Sequence, residues 1–264
     1  MGDSIKVGLM GLGTVGSGVI EVLQGSSDLI THYAGGPLEI ARILVRNRGK
    51  PRSIRVQPEM LTTVAEDILA DDSVRIVVEV IGCPDGSSEP AMTYLKRALS
   101  TGKHVVTANK QVLAEHGPEL LALALEHGVS LSYEAAVCGA IPIVRTFREC
   151  LVASGVVSLV GIMNGTTNYI LSRMAGEGMD FAEALGDAQD KGCAEADPSS
   201  DVEGHDAAYK LAILASLAFR AKVSVSDIRR EGIARVTHQD IAWASEICYQ
   251  ATCGGEAFGW HRRS

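Results

Sequence analysis

The sequence predicts a doubly wound α/β fold, a parallel sheet covered by helices on both faces, followed by a second domain of α+β type. Three observations lead there. Apolar, β-branched runs of strand length alternate with helical stretches through the first half of the chain. A glycine-rich turn joins the first such run to the first helix, and the texture changes after Glu134. Strands that are apolar on both faces and separated by helices describe a parallel sheet, because only a sheet covered on each side buries both faces.

Taken in order, the first candidate strand is 5–10, and the next are 38–45, 75–81, 103–107 and 129–134. Helix-like segments lie between them at 14–23, 90–99 and 118–127. From Ala135 to Pro142 the residues are small and loop-like. A helix is then expected over 143–152, a strand over 156–163, and helices over 181–191 and 201–219. A last helix opens at Thr237, where Asp240 three residues on completes a capping box. These patterns divide the chain into a nucleotide-type domain over 1–134, a second domain over 135–247 and a tail over 248–264. The tail shows neither a helical nor a strand period.

Composition narrows the function. The net charge of −8 over 264 residues excludes non-specific nucleic-acid binding, which needs a basic surface to release counterions. The six cysteines form no C-x-x-C pair and no zinc spacing, so they are expected to be reduced thiols. No apolar run approaches the roughly 18–20 residues of a membrane span. The chain enters a strand at once, with no room for a signal peptide, so the expected location is the cytoplasm.

The first motif is Gly11-Leu12-Gly13-Thr14-Val15-Gly16, a G-x-G-x-x-G turn between a strand and a helix. The first glycine permits the tight turn, the second lets backbone approach a pyrophosphate, and the third allows close helix–strand packing. In that context the sheet is of Rossmann type and the expected ligand is a dinucleotide. An NAD enzyme carries an acid at the end of the second strand, to hold the ribose hydroxyls. Here that strand runs into Arg46, Arg48 and Lys50 with no acid. Arg46 suits the 2′-phosphate of NADP, although a solvated basic loop has the same composition, and NAD stays open as the alternative. Lys110 follows the fourth strand on the edge where such sheets bind ligands, either over the cofactor cleft or as a solvated helix-start lysine.

The most distinctive stretch runs from Ala188 to Lys210. Acids are dense up to Asp206, after which Leu211 to Phe219 is apolar nearly all round and so belongs in a core. Asp206 and Lys210 stand at i and i+4 on that helix, on one face. They make either a structural ion pair or a lysine acid/base beside carboxylates.

The glycine turn, Thr107 to Lys110, Tyr133 to Pro142, Met163 to Leu171 and Gly192 to Lys210 together resemble the homoserine dehydrogenase family, in family order from residue 5 to about 247. The resemblance implies reversible, NAD(P)-dependent interconversion of L-homoserine and L-aspartate 4-semialdehyde, in a homodimer built through the second domain. It makes Lys210 the acid/base and puts Lys110 at cofactor and substrate. Glu195 and Asp206 would hold the substrate amino group, with Thr166 and Asp201 nearby. Gly11, Gly13, Thr14, Val15, Gly16 and Arg46 would hold the cofactor. A monovalent cation (sodium or potassium) is implied at Glu134 and the backbone of Val137, Gly139 and Ile141. Independently, the turn from Asn164 to Asn168 offers free N–H groups to a carboxylate, while the acids suit an ammonium.

The sequence departs from the family at two points. Cys193 stands where a larger apolar or aromatic residue is usual, and the family's continuation beyond about Ile247 is absent, as is the regulatory ACT domain of longer relatives. The end reads as a truncated or frame-shifted product. The alternative to an active enzyme is therefore a cofactor-binding chain with impaired catalysis.

Overall fold

The computed structural model describes residues 4–83, 86–247, 251–252 and 254–258. It divides into two units, Met1–Ala140 and Ile141–Ser264. The division falls after Ala140, six residues beyond the expected position. The turn at Glu134–Ala136 stays with the first unit, and Tyr133, Ala136 and Val137 are all buried.

The first unit runs β1 (Ile5–Met10), α1 (Thr14–Gly25), α2 (Ser27–Ala34), β2 (Leu38–Leu44), β3 (Leu61–Thr62), α3 (Glu66–Leu69), β4 (Val74–Glu79), α4 (Ala91–Ser100), β5 (His104–Thr107), α5 (Lys110–Glu126) and β6 (Leu131–Ser132). All six strands are parallel, in the order β3-β2-β1-β4-β5-β6. This is the doubly wound Rossmann order, with its reversal point between β1 and β4, where ligands bind beyond the carboxyl ends of the strands. Val7, Leu9, Ile20, Ile43, Leu61 and Val78 form a core between sheet and helix. Lys103 is buried and donates from Nζ to the carbonyls of Asp71 (2.7 Å) and Val74 (3.2 Å), so its charge ties the opening of β4 to that of β5.

Two details differ from the sequence reading. β3 is only two residues long, too short to show a period. α5 begins at Lys110, eight residues before the expected start, and carries Pro118 inside it. A proline removes one helical hydrogen bond, but the Asn109 side chain caps the helix by accepting from the Val112 N–H (3.2 Å) and fixes the earlier start.

The second unit contains α6 (Ile143–Arg145), which continues as a π-helical turn over Thr146–Cys150, then β7 (Ser158–Ile162), α7 (Gly165–Glu177), α8 (Phe181–Asp190), α9 (Ser199–Val202), α10 (His205–Phe219), α11 (His238–Glu246) and β8 (Gly254–Phe258). Ile170, Leu171, Met174, Ala184, Ala188, Val202, Ile233 and Ile241 form its core. The capping box at Thr237 and Asp240 is formed in both directions.

The helix expected over 201–219 is broken in two. Gly204 takes a left-handed φ of 81°, and the Val202 carbonyl accepts from the Ile233 N–H at 2.8 Å instead of continuing the helix. The expectation of a patternless tail is corrected in part: Gly254–Phe258 forms β8, antiparallel to β7, and Ala251 packs on the core. A strand of Gly-Gly-Glu-Ala-Phe has no side-chain period to read; it is held by backbone pairing. Residues 248–250, 253 and 259–264 of that expected tail lie outside the described residues.

Candidate functional site

The glycine turn is built as its spacing requires. Gly11 has φ 105°, and a Cβ there would stand 2.7 Å from the Val80 carbonyl oxygen. A Cβ on Gly16 would stand 2.2 Å from the Gly11 carbonyl oxygen, so both positions exclude any side chain. Gly13 differs, since a Cβ there meets no protein atom within 4 Å. The packing of the fold does not require glycine at 13, which leaves open space over the turn. Thr14 and Val15 are exposed in the first turn of α1, which has no side-chain cap and no acid. The free N–H groups and the positive end of the helix dipole there suit a phosphate.

The end of β2 lies beside this turn, because the Gly11 N–H donates to the Leu44 carbonyl at 3.0 Å. Beyond it the basic residues have separate roles. Arg48 donates to the Pro58 carbonyl (2.9 Å), and Arg52 is sewn into the loop through the carbonyls of Asn47, Arg48 and Lys50. Arg46 is exposed and makes no side-chain hydrogen bond or ion pair among the described residues.

At the carboxyl ends of β4 and β5 lies a buried polar network that the sequence reading missed. Glu79 is fully buried and accepts from the Ile81 N–H (2.8 Å) and the Thr107 hydroxyl (2.6 Å). Burial pushes its carboxyl above the ordinary range, and these hydrogen bonds oppose the shift only in part. Lys110 follows directly, half-buried at the first position of α5.

In the second unit the Ala188–Lys210 stretch gathers around one amide. Asn164 is buried ahead of α7, where its Oδ1 accepts from the Thr167 N–H (2.8 Å). Its Nδ2 donates to Asp201 Oδ1 (2.6 Å) and Asp206 Oδ2 (2.9 Å). Asp206 is 2% exposed and pairs with Lys210 Nζ at 2.6 Å. Lys210 also donates to the Met163 carbonyl at 2.9 Å. An ammonium has three donors, so among the described residues one N–H of Lys210 is left over. Asp201 and Asp206, gathered on one amide, bring acceptors that suit a cationic group. Asn164 was not singled out in the sequence, where nothing but its N-cap position ahead of a helix marks it.

Other expected residues are less tightly held. Thr166 donates to the Cys193 carbonyl at 2.8 Å, which ties α7 to the acidic stretch. Glu195 and Cys193 are exposed. In the first unit, Glu134 is half-buried on its turn, Val137 is buried and Gly139 is exposed, with Cys138 and Ala140 in left-handed conformations between and beyond them. Ile141, exposed, opens the second unit. Among the described residues no three His, Cys, Asp or Glu side chains gather as a metal site, so a cation at this loop would depend on backbone carbonyls. Cys83, Cys138, Cys150 and Cys193 are free thiols. No described helix is long and apolar enough to cross a membrane.

A Rossmann unit with a phosphate-ready glycine turn, followed by a unit carrying a lysine paired with a buried carboxylate, defines a two-unit nucleotide-binding protein. Residues 11–134 match the family model of the homoserine dehydrogenase NAD-binding domain, and residues 142–259 match that of homoserine dehydrogenase. The chain belongs to the homoserine dehydrogenase family. It is 46% identical to the homoserine dehydrogenase of Bacillus subtilis across 93% of this chain and 56% of that protein. With that of Synechocystis the identity is 48%, across 92% and 55%. A homoserine dehydrogenase structure from Thiobacillus denitrificans superposes with a TM-score of 0.89 at 41% identity, covering 98% of this chain and 59% of that one. A candidate homoserine dehydrogenase from Archaeoglobus fulgidus does so with a TM-score of 0.84 at 33% identity, covering 96% and 80%. The chain thus spans a little over half the length of the curated relatives it matches.

Proposed function

We propose that the chain interconverts L-homoserine and L-aspartate 4-semialdehyde, with NADP as cofactor and Lys210 as the acid/base. The observation that carries this is the lysine held against a buried carboxylate, Lys210 on Asp206, with Asn164 joining Asp206 to Asp201. Lys210 has two of its three donors engaged, so the third is aimed by the other two and serves one acceptor. In the reducing direction it gives its proton to the oxygen that was the aldehyde, and in the oxidising direction it takes that proton back. Asp206 keeps the lysine in place throughout. The surplus negative charge of Asp201 and Asp206, together with the exposed Glu195, holds the substrate ammonium. The uncapped turn at α1 and Arg46 hold the dinucleotide, with Gly13 leaving room for its phosphates and Lys110 at its reactive end. When bound, the nicotinamide supplies or takes up the reducing equivalent.

Two further parts of the reading rest on the family resemblance. A sodium or potassium ion is assigned to Glu134 and the carbonyls of Val137, Gly139 and Ile141, and a second copy of the chain is the partner. Measuring NADPH oxidation with aspartate semialdehyde beside NADPH binding tests the whole. Lys210→Ala should lower turnover by roughly 10²–10⁴-fold with cofactor affinity unchanged. Near-native turnover in that variant makes Lys210 structural. Binding without turnover in the unmodified chain selects the catalytically impaired alternative.

A further inference from the structure

We propose that Glu79 is a positioning residue that couples the glycine turn to the start of α5, and thereby sets Lys110 against the dinucleotide; this rests on the cofactor reading above. Glu79 ends β4, is fully buried, and pairs with no cation among the described residues. A lone buried carboxylate is expensive, and an apolar side chain of similar size fills a core more cheaply. Its retention calls for a task, and its two oxygens show one.

On one side Oε1 accepts from the Ile81 N–H at 2.8 Å. That segment lies directly on the glycine turn. The Val80 N–H donates to the Met10 carbonyl at 2.9 Å, and the Val80 carbonyl oxygen is 2.7 Å from the place a Cβ would take on Gly11. There is no slack between them. On the other side Oε2 accepts from the Thr107 hydroxyl at 2.6 Å, and the Thr107 oxygen accepts from the Asn109 N–H at 3.0 Å. Asn109 Oδ1 then caps α5 through the Val112 N–H (3.2 Å) and accepts the Cys83 thiol (3.3 Å). One carboxylate therefore joins the loop after β4 to the loop after β5. Lys110 is the next residue along from the Asn109 cap, so its backbone goes where this chain of bonds puts it.

The test compares Glu79→Gln, Glu79→Leu, Thr107→Val and the Glu79→Leu/Thr107→Val double variant. Glutamine can still accept from Ile81 and reach Thr107, so Glu79→Gln should bind NADPH within ~2-fold of the unmodified chain, less than one hydrogen bond's worth. Glu79→Leu and Thr107→Val should each weaken NADPH by ~10-fold, one hydrogen bond's worth of alignment. The double variant should be no worse than either single one, since both cut the same path. Amide hydrogen exchange supplies a readout that needs no ligand. Residues 11–17 and 109–113 should exchange faster together in Glu79→Leu and Thr107→Val, and stay protected in Glu79→Gln. Unmodified NADPH affinity and unmodified exchange in Glu79→Leu overturn the proposal, as does a double variant whose losses add. If Glu79→Leu does not fold, Thr107→Val against Glu79→Gln decides the same point. Should the unmodified chain bind no NADPH, the cofactor reading fails, while the paired exchange still tests the coupling.

Discussion

At the scale of the residue, the charge arrangement of the second unit depends on a neutral side chain. Asn164 spends its carbonyl oxygen on the α7 cap and both hydrogens of its amide on two carboxylates. Without it, Asp201 and Asp206 would face each other with no amide between them to relieve their repulsion. The basic loop after β2 makes a related point about which charge is available. Arg48 and Arg52 hold the loop to itself, and Arg46 is exposed beside the glycine turn. On the proposed reading a guanidinium in that place would grip a 2′-phosphate, which NADPH carries and NADH does not. Arg46→Ala should weaken NADPH by ~10-fold or more and leave NADH nearly unchanged, as read by fluorescence titration with each cofactor. Equal loss for both makes Arg46 a loop residue and removes the preference for NADP.

At the scale of the element, what could be read in advance was whatever repeats. β1, β2, β4 and β5 are runs rich in aliphatic residues, and the glycine turn is a fixed spacing between β1 and α1. The rest is set by contacts distant in sequence, which no local pattern contains. α9 and α10 read as one helix because every residue from Asp201 to Phe219 tolerates one. The break comes at the left-handed Gly204 and is held by Ile233, whose N–H occupies the Val202 carbonyl. Asn164 and Glu79 were illegible for the same reason: each takes its meaning from partners 28 or more residues away. This junction can be tested. A Cβ on Gly232 would stand 2.7 Å from the Val202 carbonyl oxygen and 3.0 Å from the Glu203 Cα, both of them backbone. Gly232→Ala should therefore cost about 1–3 kcal/mol by overpacking. It should also lower turnover, because Asp201 and Asp206 flank the displaced backbone. Gly186→Ala, on α8 where a Cβ meets nothing within 4 Å, should be neutral or stabilising by up to about 1 kcal/mol. Thermal melts of the two variants check this, and equal Tm values would remove the steric account of the α9–α10 break.

At the scale of the whole molecule, the chain is two units, and the proposed reading gives each a part of the chemistry that would be lost separately. The dinucleotide turn belongs to the first unit, and the lysine with its carboxylates to the second. β8 is the informative handle. It pairs with β7 from Ile162–Gly254 to Ser158–Phe258, and a Cβ on Gly255 would stand 2.9 Å from Met163 Sδ and 3.5 Å from Leu211 Cδ2. Met163 is also the residue whose carbonyl receives Lys210. Removing residues 254–264 should leave β7 without its partner strand. A lone strand has no ladder to protect its amides, and even a two-stranded pair is marginal without packing beneath it. Hydrogen exchange across 158–163 should accelerate, turnover should fall through the loosened Met163–Lys210 contact, and NADPH affinity should stay within ~2-fold if, as proposed, the glycine turn and Arg46 supply the phosphate contacts. If exchange in 158–163 is unchanged by the deletion, β8 contributes nothing to the second unit and the pairing has no energetic weight. If NADPH affinity falls along with it, dinucleotide binding is not a property of the first unit alone, and the separation of roles between the two units is wrong.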